Sequence, residues 1–239
     1  MRAHGSSSPN SEALLLILVL PLLAAGCGAG PAWGMPVAEI RQRLAAADYG
    51  FLAGVVLSEH EPSEALAVGA EAPFYLAFAF DAVERPDAAL AMLDLAAGQS
   101  PQPWRSEAAA ELAERLVGRR DYERAETAAR RALAGAAKGS GPADRARKAL
   151  VAALYWQKRD REVLQALPGL KADAETGLFR AVSSWRLGAE GATALFVDLF
   201  LREPASAVHG RAYSFLASDP AWLALFTQDE RDLLAAKFS

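Results

Sequence analysis

The sequence predicts an all-α fold, on three observations. Among 239 residues, 54 are Ala, against 12 Val, 2 Ile and 4 Thr. Ala enters a helix without losing side-chain entropy, whereas β-branched residues favour strands. Arg outnumbers Lys 20 to 5, a mark of GC-rich coding that itself raises Ala, so composition is read together with spacing. From Val37 onward apolar residues recur at helical intervals, and turn signals interrupt them every few residues. The one stretch that alternates like a strand, Phe74 to Phe80, has no second strand to pair with and is assigned helical.

At the N-terminus, Ala13 to Ala25 is a strongly apolar run, the length of a secretory h-region and short of the ~20 residues that a spanning helix needs. The sequence Gly26-Cys27-Gly28-Ala29-Gly30-Pro31 that follows would break a helix. A signal peptide over 1–27 is expected. Its end, Leu22-Leu23-Ala24-Ala25-Gly26-Cys27, resembles the lipobox of bacterial lipoproteins in relaxed form, with Ala24 where the motif usually carries Leu. The resemblance implies that Cys27 is acylated and becomes the new N-terminus. Several acyl chains on one residue would anchor the protein at a bilayer face. The family's sorting rule, with Gly28 rather than Asp after the Cys, implies the periplasmic face of the outer membrane. Residues 28–36 then read as a flexible tether.

Helices are expected at Val37–Ala47, Tyr49–Glu59, Phe74–Val83, Asp87–Ala97, Trp104–Gly118, Asp121–Ala136, Ala143–Lys158, Asp160–Leu167, Ala172–Leu187, Ala192–Arg202, Ser206–Ala217, Pro220–Phe226 and Gln228–Phe238. The stretches Gly98–Pro103 and Lys138–Pro142 read as loops. Thr227 and Glu230 have capping-box spacing, and Asp219-Pro220 places Pro at a first helical position.

Within Leu112-Ala-Glu-Arg-Leu116…Asp121-Tyr122-Glu-Arg-Ala125…Ala132, small and large residues fall at offsets that resemble the tetratricopeptide repeat, a helix–turn–helix unit of 34 residues. Ala113, Ala125 and Ala132 stand at that family's small positions, Leu112 and Leu116 at its large ones, and Asp121-Tyr122 at its turn. Ala109 replaces the bulky aromatic, and the closing Pro is absent. The turn recurs at Asp48, Asp87, Asp121 and Asp160, at spacings of 39, 34 and 39 residues, and Val151-Ala152…Tyr155 repeats the first-helix pattern. Small residues at such offsets let two helices cross closely, and stacked pairs bury a core that no single repeat could form. The resemblance implies a helix-hairpin, tetratricopeptide-like solenoid over 37–239. Farther on, Phe196…Phe200…Pro204-Ala-Ser206 resembles the repeat junctions of periplasmic repeat lipoproteins and of the helical arms of soluble lytic transglycosylases.

Chemistry is harder to find. One Cys excludes an internal disulfide, and three His with one Cys exclude a Cys/His zinc cluster. A net charge of −4 and a pI near 5.5 leave no footprint for nucleic acid. His60 precedes the helix breaker Pro62, and His209 reads as a solvent-facing residue near a helix start. Neither the Glu-Ser nor the Met-Gln dipeptide of the transglycosylase catalytic domain occurs. Carboxylates alternate with Arg along helix faces, as a solvated helix surface does. Trp156, Trp185, Phe196, Phe200, Trp222 and Phe226 have core spacing, and Tyr122 and Tyr155, each near a turn end, are the candidates for a binding groove. No cofactor, metal or catalytic residue is expected. The expected role is that of a lipid-anchored scaffold for other envelope proteins or peptidoglycan, with the non-catalytic arm of a lytic transglycosylase as the alternative.

Overall fold

A computed structural model of the chain describes residues 36–48, 50–51, 65–202, 204 and 206–238. Cys27, the apolar run before it, His60 and most of the expected helix Tyr49–Glu59 lie outside the described residues. Thirteen α-helices and one π-helical turn occur among the described residues, with no strand. The chain divides into two compact units, Met1–Ala89 and Leu90–Ser239.

In the first unit, α1 (Val37–Ala45) and the short α2 (Ala65–Val68) both pack on α3 (Ala72–Ala82). Helix α3 contains the segment that alternates like a strand. Pro73 sits in its first turn, where a missing N–H costs nothing, and Leu76, Ala77 and Phe80 are buried along one side. The Arg41 guanidinium pairs with Glu71 and lies over the Tyr75 ring, 5.3 Å from its centroid. Sequence reasoning passed over α2, a single turn too short to show periodicity.

Helix α4 (Pro86–Gln99) carries the boundary between the units. The second unit continues with α5 (Trp104–Gly118), α6 (Tyr122–Gly135), α7 (Gly141–Trp156), α8 (Asp160–Ala166) and α9 (Ala174–Arg186). Each of these packs on the next. In addition α5 packs on α7, and α7 on α9, so the alternate helices form a row of their own. Helix α10 (Ala192–Val197) runs into the π-helical turn Asp198–Arg202, followed by α11 (Ala207–Leu216), α12 (Pro220–Leu223) and α13 (Gln228–Phe238). Gly98 and Gly141-Pro142, expected in loops, are helical, the latter because Pro suits a first turn.

One local geometry recurs five times. Ala47, Glu84, Arg120, Lys158 and Gly188 all adopt the left-handed conformation, with φ of 57°, 58°, 63°, 59° and 65°, at intervals of 37, 36, 38 and 30 residues. At each, the following N–H reaches back to the carbonyl five residues earlier: Asp48 to Arg43, Arg85 to Phe80, Asp121 to Leu116, Arg159 to Leu154 and Ala189 to Ser184, all at 2.9–3.0 Å. The left-handed residue's own N–H bonds the carbonyl three residues back. Together these make a Schellman motif, which satisfies carbonyls that a helix end leaves open. Packing follows the same register. The residue seven before each left-handed position is Ile40, Ala77, Ala113, Val151 or Ala181, and all five are buried. The residue five after is Ala89, Ala125 or Val163 in the middle three turns, again buried.

This register corrects the one read from the acids. Asp48 and Asp121 directly follow their left-handed residues, but Asp87 and Asp160 stand three and two residues beyond theirs. Val151 therefore occupies the position of Ala113, and Leu154 that of Leu116. Ala152 and Tyr155, though buried, are one residue off. The fifth turn, at Gly188, is followed by Glu190 and by no Asp, and reading the Asp positions alone passes over it.

Candidate interaction surface

The Schellman turns after α5 and α7 lie side by side. The amide Nε2 of Gln157 donates to the Tyr122 carbonyl at 3.3 Å and to Glu126 Oε2 at 3.1 Å, tying the end of α7 to the start of α6. Arg159 reaches back to Glu126 and forward to both oxygens of Glu162, each at 2.7 Å. The guanidinium of Arg186, at the end of α9, lies 3.4 Å from Asp160 and over the Tyr155 ring. It brings the third turn against the second.

The two candidate groove tyrosines have different fates. Tyr155 is only 8% exposed, packed 4.6 Å from the Phe179 ring and edge-on to Trp156, and burial pushes its hydroxyl pKa upward. It is a packing residue. Tyr122 is half-buried, and its ring stacks on Trp156 at 6.1 Å with 14° between the planes. Trp156 itself, expected in the core, is 56% exposed. Its neighbours Tyr155 and Leu154 fill the inward directions of the last turn of α7, so Trp156 points out. Of the remaining repeat positions, Leu112, Ala113, Leu116, Ala125 and Ala132 are all buried.

Ion pairs bind one helix to the helix two along. Arg145 of α7 meets Glu107 and Glu111 of α5 at 2.9 Å and Glu114 at 3.5 Å. Arg130 of α6 meets Glu162 of α8 at 3.3 Å. Lys148 of α7 meets Asp173 and Glu175, each at 3.0 Å, at the start of α9. Burial raises the Glu114 carboxyl pKa, against the attraction of Arg145. Burial pushes Asp173 the same way, but hydrogen bonds from the Thr176 N–H and from Lys148 outweigh it and hold its pKa down. The acids are thus engaged in holding helices together.

The last helices bury an aromatic cluster. Phe196, Phe200, Trp222 and Phe226 are buried, with Phe196 and Phe200 each 5.7 Å from Trp222 and nearly perpendicular to it. His209 belongs to this cluster and is not solvent-facing. It is 2% exposed, 5.9 Å from the Phe200 ring, and its Nδ1 lies 3.2 Å from the Pro204 carbonyl. Ser206 accepts from the His209 N–H and caps α11. The sequence places His209 near a helix start, and that first-turn position faces the aromatic cluster and not solvent. The ammonium of Lys237 donates to the carbonyls of Phe200 and Leu201 at 2.8 and 3.3 Å, where the π-helical turn ends.

No group of three metal-ligating side chains occurs among the described residues, and no described helix is long and apolar enough to cross a membrane. A shallow depression of about 290 Å³ beside α9, lined by Asp173, Thr176, Arg180 and Asp198 among others, is open to solvent. No family model, curated protein or solved structure matches the chain.

Proposed function

We propose that the chain is a membrane-anchored, tetratricopeptide-like scaffold lipoprotein that binds other proteins in envelope or cell-wall assembly at the periplasmic face of the outer membrane. The observation that carries the reading is the five-fold Schellman turn. Its intervals of 37, 36, 38 and 30 residues bracket the 34-residue period of such repeats. The packing of α5 on α7 and of α7 on α9 is what stacked helix pairs require, since each pair contacts only its neighbours. The lipobox-like Leu22 to Cys27 supports the anchor. The mechanism is presentation: rigid pairs hold a surface, and the acyl group confines it to one membrane face.

A second reading, the helical arm of a lytic transglycosylase, is favoured by the last helix, where Leu233 is 61% exposed and offers an apolar residue to a further neighbour. Photo-crosslinking in cells separates the two. A photoreactive phenylalanine is placed in turn at exposed positions of the helix pairs, such as Glu84, Arg124 and Trp156. The scaffold reading expects protein adducts of discrete mass. Adducts to glycan fragments alone would turn the assignment to the arm, and no adduct at any position would remove the scaffold reading.

A further inference from the structure

We propose that the turn edge built by the ends of α5, α7 and α9 is the docking surface of the scaffold, and that its occupant is an acidic peptide segment of a partner protein carrying an aromatic or apolar residue. The proposal rests on the scaffold reading and names its site.

Two of the large apolar side chains exposed among the described residues fall on this edge, Trp156 at 56% and Leu187 at 41%. Each directly precedes or nearly precedes the left-handed residue of its turn, and the contacts of Arg186 with Tyr155 and Asp160 hold the two turns together. Trp156 is braced: Tyr122 stacks on one face, Tyr155 meets it edge-on, and Gln157 next to it is tied to the Tyr122 backbone. A large aromatic held in one orientation binds without paying for its own ordering, which is why Trp dominates interface hot spots.

The charges beside it select the partner. Arg120 is exposed on the turn after α5, and Lys158 and Arg161 on the turn after α7, and none of the three has an ion-pair partner among the described residues. Most acids of these turns are engaged: Asp121 caps α6 and meets Arg124, Asp160 meets Arg186, and Glu162 meets Arg159 and Arg130, which leaves Glu123 and Glu190 as the exposed acids of the edge. The chain as a whole is acidic at −4, so unpaired cations around an exposed Trp run against its general charge. An acidic segment crossing Trp156 would meet these three cations locally. A flat anionic bilayer would also be pressed against Glu123, which is exposed beside Tyr122, and against the carboxylates bound along the edge; a peptide avoids them.

The test titrates the full chain, in non-ionic detergent micelles, into a fluorescein-labelled random copolymer of glutamate and tyrosine and follows polarisation. The wild type binds, and more weakly as salt rises. Trp156→Ala weakens binding about tenfold or more, as loss of a hot-spot aromatic does. The triple reversal Arg120→Glu, Lys158→Glu, Arg161→Glu removes it. Lys138→Glu, which alters an exposed cation on the loop between α6 and α7, leaves it unchanged. An unchanged melting temperature of Trp156→Ala shows that the fold survives. Failure of the copolymer to bind, or equal binding by Trp156→Ala, overturns the proposal. So does quenching by vesicles of brominated phosphatidylglycerol of the part of the fluorescence that Trp156→Ala removes, which assigns the edge to lipid. Photo-adducts to protein from other positions but none from position 156 would sink this surface and leave the scaffold reading standing.

Discussion

Gly188 stands where Ala47, Glu84, Arg120 and Lys158 stand in the earlier turns. The left-handed conformation costs an L-residue roughly 1–2 kcal/mol, which glycine escapes. A Cβ at Gly188 would meet nothing within 4 Å, so backbone strain alone decides the outcome there. Gly188→Ala is expected to destabilise by about 1 kcal/mol in urea denaturation. Gly98→Ala, inside α4 and equally open, is expected to stabilise by about 0.5–1 kcal/mol. Equal signs for the two would remove the strain assignment. Two carboxylates predict opposite pH behaviour. The Asp173 pKa is depressed, so its contribution is present above the ordinary value of 3.8 and is lost as pH falls through the lower folded value. Asp173→Ala is expected to cost about 1 kcal/mol at neutral pH, as loss of a cap does, and the gap to wild type should close in acid. The Glu114 pKa is raised, so the folded state favours its neutral form and gains stability relative to Glu114→Gln as pH falls through the carboxylate range.

At the scale of the element, helix boundaries were largely legible. Trp104–Gly118 and Gln228–Phe238 fall where the spacing places them. The Thr227 capping box forms, with the Thr227 N–H donating to Glu230 at 2.8 Å. What the sequence hid was non-local. The π-helical turn inside the expected helix Ala192–Arg202 has no signature of its own, and the ammonium that serves its carbonyls comes from α13. Lys237→Met should therefore cost about 1–3 kcal/mol through the carbonyls it leaves without that donor, and the loss should appear as faster amide exchange across the π-helical turn and α13. Exchange unchanged there would mean that the contact holds nothing. The exposure of Trp156 was equally illegible: helical spacing places it beside core positions, and only the inward packing of Leu154 and Tyr155 turns it out.

Across the whole molecule, the turn register was half visible. Acidic residues mark two of the five turns in their true place, because an acid after the left-handed residue also caps the next helix, as Asp121 does. Elsewhere backbone geometry sets the register and the side chain does not, so Glu84, Lys158 and Gly188 carry no shared letter. Stacked pairs predict stability that is local in origin. Ala113→Leu, forcing a larger side chain where α5 and its neighbours are fully packed, should cost about 1–3 kcal/mol and lower amide protection in α5, α6 and α7 while α13 keeps its own. Uniform loss everywhere would point instead to one undivided core. The intact mass of the endogenous protein extracted from membranes tests the proposed lipid-anchored helical scaffold most directly. A mass equal to residues 27–239 plus acyl chains is the predicted result. The bare cleaved chain would contradict the anchor, and a much larger mass would make these helices the arm of a bigger enzyme.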